Sequence, residues 1–197
     1  MKMTDNKTYW ESKYDTGETG WNIGAISTPI KEYIDQLADK NIKILIPGAG
    51  NAYEAEYLFQ QGFSTIFVMD IARAPLNNLM KRIPDFPENQ LLEEDFFQHQ
   101  GLYDLILEQT FFCAINPSHR NLYAQKIHEL LNDGGKLVGL LFDFPLTDEG
   151  PPFGGSHQEY LDTFTPYFDI KILEKSYNSI KPRAKREFFI QFKKKSL

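Results

Sequence analysis

Ile42-Lys43-Ile44-Leu45-Ile46-Pro47-Gly48-Ala49-Gly50 is the stretch that decides the fold class. A short β-rich apolar run ends in two glycines, and a helical pattern follows. Between Asn51 and Gln61, Ala55, Leu58 and Phe59 fall on one face, with Gly62 as the stop. A strand running through a tight turn into a helix is the opening unit of a parallel α/β sheet.

Downstream the unit repeats. Thr65–Asp70 is a second apolar strand, followed by a helix beginning near Pro75, a weak strand at Gln90–Glu94 and then Asp95. Tyr103–Glu108 is a fourth strand. A helix is predicted from Ser118 to Asn132, with Leu122, Ile127, Leu130 and Leu131 inward and Gly134-Gly135 as its stop. Lys136–Phe142 is a fifth strand, and Ser156-His157-Gln158-Glu159 fits a capping box for a helix reaching Phe164. Phe168–Lys175 and Glu187–Lys193 fit an antiparallel hairpin with a longer connection. Upstream, Ser27-Thr28-Pro29 is a capping residue followed by a helix-start proline. Ile30, Tyr33, Ile34, Leu37 and Ala38 then recur at helical spacing. The expected architecture is a Rossmann-like α/β domain with seven strands in a mostly parallel sheet, an antiparallel C-terminal edge and helices on both faces. With no repeat or linker, residues 1–197 read as one domain, residues 1–27 forming an aromatic lead segment.

Composition narrows the function. The chain is 42% hydrophobic and 24% charged, enough apolar content for a packed core. Its net charge of −6 speaks against nucleic acid, which is bound by clustered Lys and Arg. The single cysteine, Cys113, removes an internal disulfide framework and any Cys-cluster zinc site. The histidines 99, 119, 128 and 157 lack metal-ligand spacing, so no metal is expected. There is no apolar signal region in residues 1–30 and no run of membrane-spanning length. A soluble, cytoplasmic monomer is expected. With 16 Phe, 10 Tyr and 2 Trp the chain carries more aromatic area than its core requires, and some of it is free to line a pocket.

In such sheets ligands bind at the carboxyl ends of the strands. After the first strand, Gly48 and Gly50 permit a tight turn and close approach of backbone to a ligand. After the second, Asp70 lies twenty residues beyond Gly50, where an acid accepts hydrogen bonds from a ribose diol. After the third, Asp95-Phe96 offers an acceptor and an apolar face for an adenine. Together these point to a nucleoside-bearing cofactor. Tyr53 stands where the dinucleotide fingerprint has its third glycine and would crowd a pyrophosphate. S-adenosylmethionine makes no such demand and is the preferred reading. An NAD(P)-dependent oxidoreductase is the alternative, weakened further by the lack of a Tyr-x-x-x-Lys pair.

Ile46-Pro47-Gly48-Ala49-Gly50, the segment from Phe111-Phe112-Cys113-Ala114-Ile115 through Asn116-Pro117-Ser118-His119-Arg120, and Gly150-Pro151-Pro152-Phe153 resemble the thiopurine, thiol and halide methyltransferase family. Trp10, Tyr14 and Thr19-Gly20-Trp21 match the family's aromatic lead segment, and the resemblance runs in order across residues 9 to 175. It implies a class I methyltransferase with S-adenosylmethionine as donor and a small soft nucleophile (a thiol, thiopurine or halide) as acceptor, methylated by in-line displacement. By position it places donor binding on Trp10, Tyr14, Trp21, Gly48, Asp70, Asp95, Phe96 and Gln109, beside Gly50. Trp10 and Tyr14 are four apart, so one helical turn puts both on one side. Tyr14 and Gln109 depart from the halide branch, which has Trp and Tyr there, and leave open a member that binds the donor without turnover. Arg120 takes the thiopurine branch's arginine position, which implies steering or holding an anionic acceptor; a helix-start surface arginine is an equal reading. Cys113 reads as core filler, Phe153 as a pocket residue, and Gly150–Phe153 as a rigid loop over the pocket.

Overall fold

The computed structural model describes residues 7–196. Residues 1–6 of the expected lead segment, and Leu197 at the end of the expected domain, lie outside the described residues. The helices are α1 (Lys7–Asp15), α2 (Thr28–Asp35), α3 (Tyr53–Gln60), α4 (Arg73–Arg82), α5 (Arg120–Leu130) and α6 (His157–Phe164). The strands are β1 (Ile44–Pro47), β2 (Ile66–Asp70), β3 (Leu91–Glu93), β4 (Tyr103–Gln109), β5 (Leu131–Phe142), β6 (Phe168–Lys175) and β7 (Glu187–Lys194). They form one seven-stranded sheet in the order β3-β2-β1-β4-β5-β7-β6. β1 to β5 run parallel, and β7 inserts antiparallel between β5 and β6. The strand order reverses between β1 and β4, and a crevice opens there.

Strand alternation splits the core into two layers. Ile44, Ile46, Val68, Leu105, Leu107, Val138 and Leu140 face α2, α3 and α4 through Ile30, Ile34, Ala55, Leu58, Leu76 and Leu79. Leu45, Met69, Ile106, Leu137 and Leu141 face α5 and α6 through Tyr123, Ala124, Ile127, Tyr160 and Phe164. The helix start at Ser27 stands, yet the Ser27 hydroxyl does not cap it and turns instead to Gln109. Only half of the expected capping box forms: the Ser156 hydroxyl accepts from Glu159 N, while the Glu159 carboxylate reaches Arg120.

One stretch corrects the sequence reading. Pro117–His119 is a 3-10 turn, α5 ends at Leu130 and β5 begins at once with Leu131. Gly134-Gly135 therefore does not stop the helix. It sits inside the irregular opening of β5, with Gly134 at φ +76° where its pairing to β4 shifts register. The buried stripe of α5 is Tyr123, Ala124, Ile127 and Leu130, so Leu122 points outward, 49% exposed at the rim of the crevice.

Candidate functional site

A cavity of about 780 Å³ opens over the carboxyl ends of β1, β2, β3 and β4. Its floor follows from backbone conformation. Gly48 and Gly50 take φ of +56° and +54°, the left-handed region where a Cβ is strained. A Cβ on Gly48 would fall 2.1 Å from Cδ2 of Phe111, so the ring of the loop after β4 lies directly on that glycine. Asp70, at the end of β2, ties the turn together. Its Oδ2 accepts from Gly50 N and its Oδ1 from Ala72 N, each at 2.9 Å. Burial pushes the Asp70 carboxyl up to about 6, against the pull of these N–H groups.

Asp95 and Phe96 border the cavity after β3, and Asp95 Oδ1 accepts from Phe97 N. The Phe96 ring meets Phe111 edge-on at 5.2 Å and leans on Tyr123 at 5.3 Å. Gln109, at the end of β4, accepts the Ser27 hydroxyl at 2.7 Å through Oε1. Its buried Nε2 has no hydrogen-bond partner among the described residues. α1 brings Trp10 and Tyr14 to one side, and Trp21 meets both rings edge-on at 5.4 and 5.8 Å. A Cβ on Gly50 would lie 3.3 Å from the Tyr14 hydroxyl, so these rings close over the glycine turn. Burial, with the Asp70 charge adding to it, raises the Tyr14 hydroxyl well above its ordinary value and keeps it neutral.

All nine expected donor-side residues, Trp10, Tyr14, Trp21, Gly48, Gly50, Asp70, Asp95, Phe96 and Gln109, border this one cavity. Arg120 does not. Its side chain is buried behind the wall, stacked on Phe112 at 4.6 Å, paired with Glu159 and donating to the Gly154 carbonyl at 2.8 Å. Phe153 is likewise turned inward, 5% exposed, with its N–H on the Cys113 carbonyl. The loop itself does reach the cavity through Pro151 and Pro152. Cys113 borders the cavity but donates to the Thr110 carbonyl, and burial holds its thiol far above the usual range.

Three cations reach the cavity: Lys13, which pairs with Glu18, and the guanidiniums of Arg183 and Arg186. Arg183 donates through Nη2 to the Trp21 carbonyl at 2.9 Å, its Nη1 lies 3.5 Å from the buried Glu187, and it stacks over Phe142. Arg186 stacks over Phe144 at 4.7 Å. Sequence reading missed both, although Lys181-Pro182-Arg183-Ala184-Lys185-Arg186 is a visible basic cluster in an acidic chain. It also missed Glu54 on α3, a buried carboxyl at the cavity wall. Burial lifts Glu54 to about 7, against the backbone N–H of Glu54 itself and of Ser27 and the nearby charge of Arg183. Among the described residues no His, Cys, Asp and Glu cluster is arranged to hold a metal ion.

The donor half fits S-adenosylmethionine. A bare glycine turn, carboxylates at two strand ends, the unpartnered Gln109 amide and the faces of Phe96, Trp10 and Trp21 offer one surface to each part of it. Among solved structures, the fold is similar to the 1,6-didemethyltoxoflavin-N1-methyltransferase of Burkholderia thailandensis, whose structure holds S-adenosylhomocysteine. The TM-score is 0.75 at 17% identity over 96% of this chain and 87% of that one. The TehB-like methyltransferase of Corynebacterium glutamicum gives 0.65 at 18% identity over 95% and 97%. Among curated sequences, a probable thiol methyltransferase 2 of Arabidopsis thaliana is 29% identical, over 98% of this chain and 88% of its own. Thiocyanate methyltransferase 1 of Brassica oleracea is 27% identical, over 94% and 84%. The family model described as Thiopurine S-methyltransferase (TPMT) matches residues 5–195. The match takes in every wall of the cavity, from α1 to β7: the chain belongs to the thiopurine S-methyltransferase family and is an S-adenosylmethionine-dependent methyltransferase.

Proposed function

We propose that the enzyme methylates a small, soft nucleophile that arrives as an anion, a thiol or thiopurine in its thiolate form or a halide. The observation that carries this reading is the makeup of the wall contributed by the end of β5, the segment after it and the segment before β7. Phe142, Phe144, Pro151 and Pro152 are joined there by two guanidiniums, Arg183 and Arg186. Rings and prolines favour a polarisable or aromatic group, and the guanidiniums favour negative charge. The names of the plant relatives, a thiol and a thiocyanate methyltransferase, point the same way.

When bound, S-adenosylmethionine supplies a methyl group already activated on a sulfonium sulfur. The Gly48–Gly50 turn, Asp70, Asp95, Phe96 and Gln109 would hold it. Trp10, Tyr14 and Trp21 exclude water and offer ring faces to a cation. Arg183 anchors the aromatic lead segment through the Trp21 carbonyl. Arg186 remains at the exposed rim to attract the acceptor. Arg120 positions the acceptor from behind, by holding the Gly154 carbonyl and so the Pro151-Pro152 loop. Alignment of two reactants is worth roughly 7–11 kcal/mol in favourable cases. A dry site also disfavours separated opposite charges, which cancel as the bond forms. The reading is of a monomer in the cytoplasm. The lone buried thiol suits a reducing compartment, and the exposed Leu102, Leu122, Leu146 and Tyr177 stand in four separate segments, α5 and three connections. No helix among the described residues is long and apolar enough to cross a membrane.

Incubation with methyl-labelled donor and a panel of iodide, thiocyanate, hydrosulfide, thiophenol and 6-mercaptopurine tests the acceptor class. Label is expected in at least one methylated product. Donor binding without transfer to any of them would overturn this reading in favour of a non-catalytic member. Parallel titration with NADH should show no binding.

A further inference from the structure

Glu108 lies on β4 with its side chain fully buried and off the cavity wall. A carboxyl in that position is unfavourable unless its oxygens are satisfied. Three donors satisfy it. Phe111 N and Phe112 N both donate to Oε1, at 2.8 and 2.9 Å, and the Tyr123 hydroxyl donates to Oε2 at 2.6 Å. One side chain thus joins the strand, the loop behind it and α5. The neighbouring strand leaves it no slack, since a Cβ on Gly139 would fall 2.1 Å from the Glu108 carbonyl oxygen.

The two groups it holds build the back of the donor half. Phe111 sits on Gly48 and meets Phe96 edge-on, while Tyr123 stands behind Phe96 and 5.9 Å from Phe111. Between Glu108 and Phe111 the chain passes through Thr110 at φ +60°, a conformation that a β-branched residue holds only when its surroundings enforce it. The two N–H bonds immediately after Thr110 supply that enforcement.

We propose that Glu108 is a positioning residue of the donor site: its carboxyl keeps Phe111 on Gly48 and Tyr123 behind Phe96, and so sets the wall against which the donor's nucleoside part docks. The proposal rests on the donor occupying this cavity. Glu108→Gln keeps the shape and the Oε1 acceptor, and the Tyr123 hydroxyl can reverse to accept from the new amide. Glu108→Ala leaves both N–H groups unmet, and Tyr123→Phe removes one bond only.

S-adenosylhomocysteine is titrated calorimetrically into each full-length variant, with thermal melts alongside. Relative to wild type, Glu108→Ala should bind about ten-fold more weakly, Tyr123→Phe about three-fold, and Glu108→Gln within two-fold. If folded Glu108→Ala binds as tightly as wild type while melting lower, the residue is merely structural and the proposal falls. Should Glu108→Ala not fold, undiminished affinity in Tyr123→Phe overturns it equally. A wild-type protein that binds no S-adenosylhomocysteine would instead overturn the donor site itself, visibly before any variant is made.

Discussion

The two halves of the cavity are built on different principles. The donor half consists of consecutive strand ends, and its hydrogen bonds are mostly to backbone: Asp70 to Gly50 and Ala72, Asp95 to Phe97, Glu108 to Phe111 and Phe112. The proposed acceptor half consists of side chains brought from the 140s, the 150s and the 180s, held by guanidiniums. Arg183 reaches the Trp21 carbonyl, and Arg120 reaches the Gly154 carbonyl and Glu159. A site fixed by backbone tolerates little change in shape and suits a ligand that never varies. One fixed by long cationic side chains can differ between relatives without disturbing the sheet. On the proposed reading, donor affinity resides in the first half and acceptor choice in the second, and each can be attacked separately.

Glu159→Ala strikes the acceptor half hardest. It leaves Arg120, a guanidinium 3% exposed, with the Gly154 carbonyl as its remaining polar partner. Breaking such a pair costs about 3 kcal/mol, or roughly 6–12 °C in melting temperature for a chain of this size. Affinity for S-adenosylhomocysteine at 20 °C should stay within about two-fold; a parallel loss of affinity would mean that the halves are not separable. Asp70→Ala is the converse. It removes the acceptor for two N–H groups of the glycine turn and should weaken donor binding by roughly fifty-fold by calorimetry. Undiminished binding would remove Asp70 from the site.

The same difference explains what was legible in the sequence. Gly48, Gly50, Asp70, Asp95 and Phe96 are readable because each sits a fixed distance after an apolar run, and parallel strands bring such positions together. The strand count and the β6–β7 pair follow from the pattern of apolar runs, whereas the α1 turn rests on the spacing of Trp10 and Tyr14, which the family resemblance singles out. Arg183 and Arg186 lie over 130 residues from Gly48, and only the insertion of β7 between β5 and β6 carries their segment back to the cavity mouth. Local pattern holds no trace of that. Arg120 shows the reverse error. Its place in a motif implied acceptor contact, whereas Glu159 and Gly154, both remote in sequence, draw its side chain behind the wall. The end of α5 was misplaced because Gly134-Gly135 looks like a helix stop, and the register shift that uses it as a strand irregularity appears only once β4 is alongside.

Glu54 stands where the halves meet, and pH reports on it. Its carboxyl is lifted from 4.5 to about 7 chiefly by burial. The folded state therefore holds the proton more tightly than the unfolded chain. The resulting stability is complete below about pH 4.5 and is lost as pH rises through 7. Asp70 and Glu108 shift in the same direction, so the wild-type curve alone does not isolate Glu54. The difference between wild type and Glu54→Gln does. The melting temperatures should nearly coincide at pH 5, and Glu54→Gln should gain relative to wild type toward pH 8, by on the order of 2 kcal/mol. A flat difference would mean that Arg183 compensates the carboxylate fully and that the seam is an ion pair.

The smallest expected effect belongs to Arg186, and it is the sharpest test of the division. Its guanidinium is exposed and stacked on Phe144, so removing it leaves no buried group unpaired. Arg186→Ala should therefore melt like wild type and bind S-adenosylhomocysteine equally well. What it loses is attraction for an incoming anion. KM for a thiolate acceptor should rise about five-fold at low salt, with kcat nearly unchanged. The ratio should shrink toward one as ionic strength exceeds roughly 0.5 M, because an exposed charge is screened where a buried one is not. A fall in kcat that persists at high salt would place Arg186 against the reacting atoms, and the rim would then be part of the acceptor pocket proper.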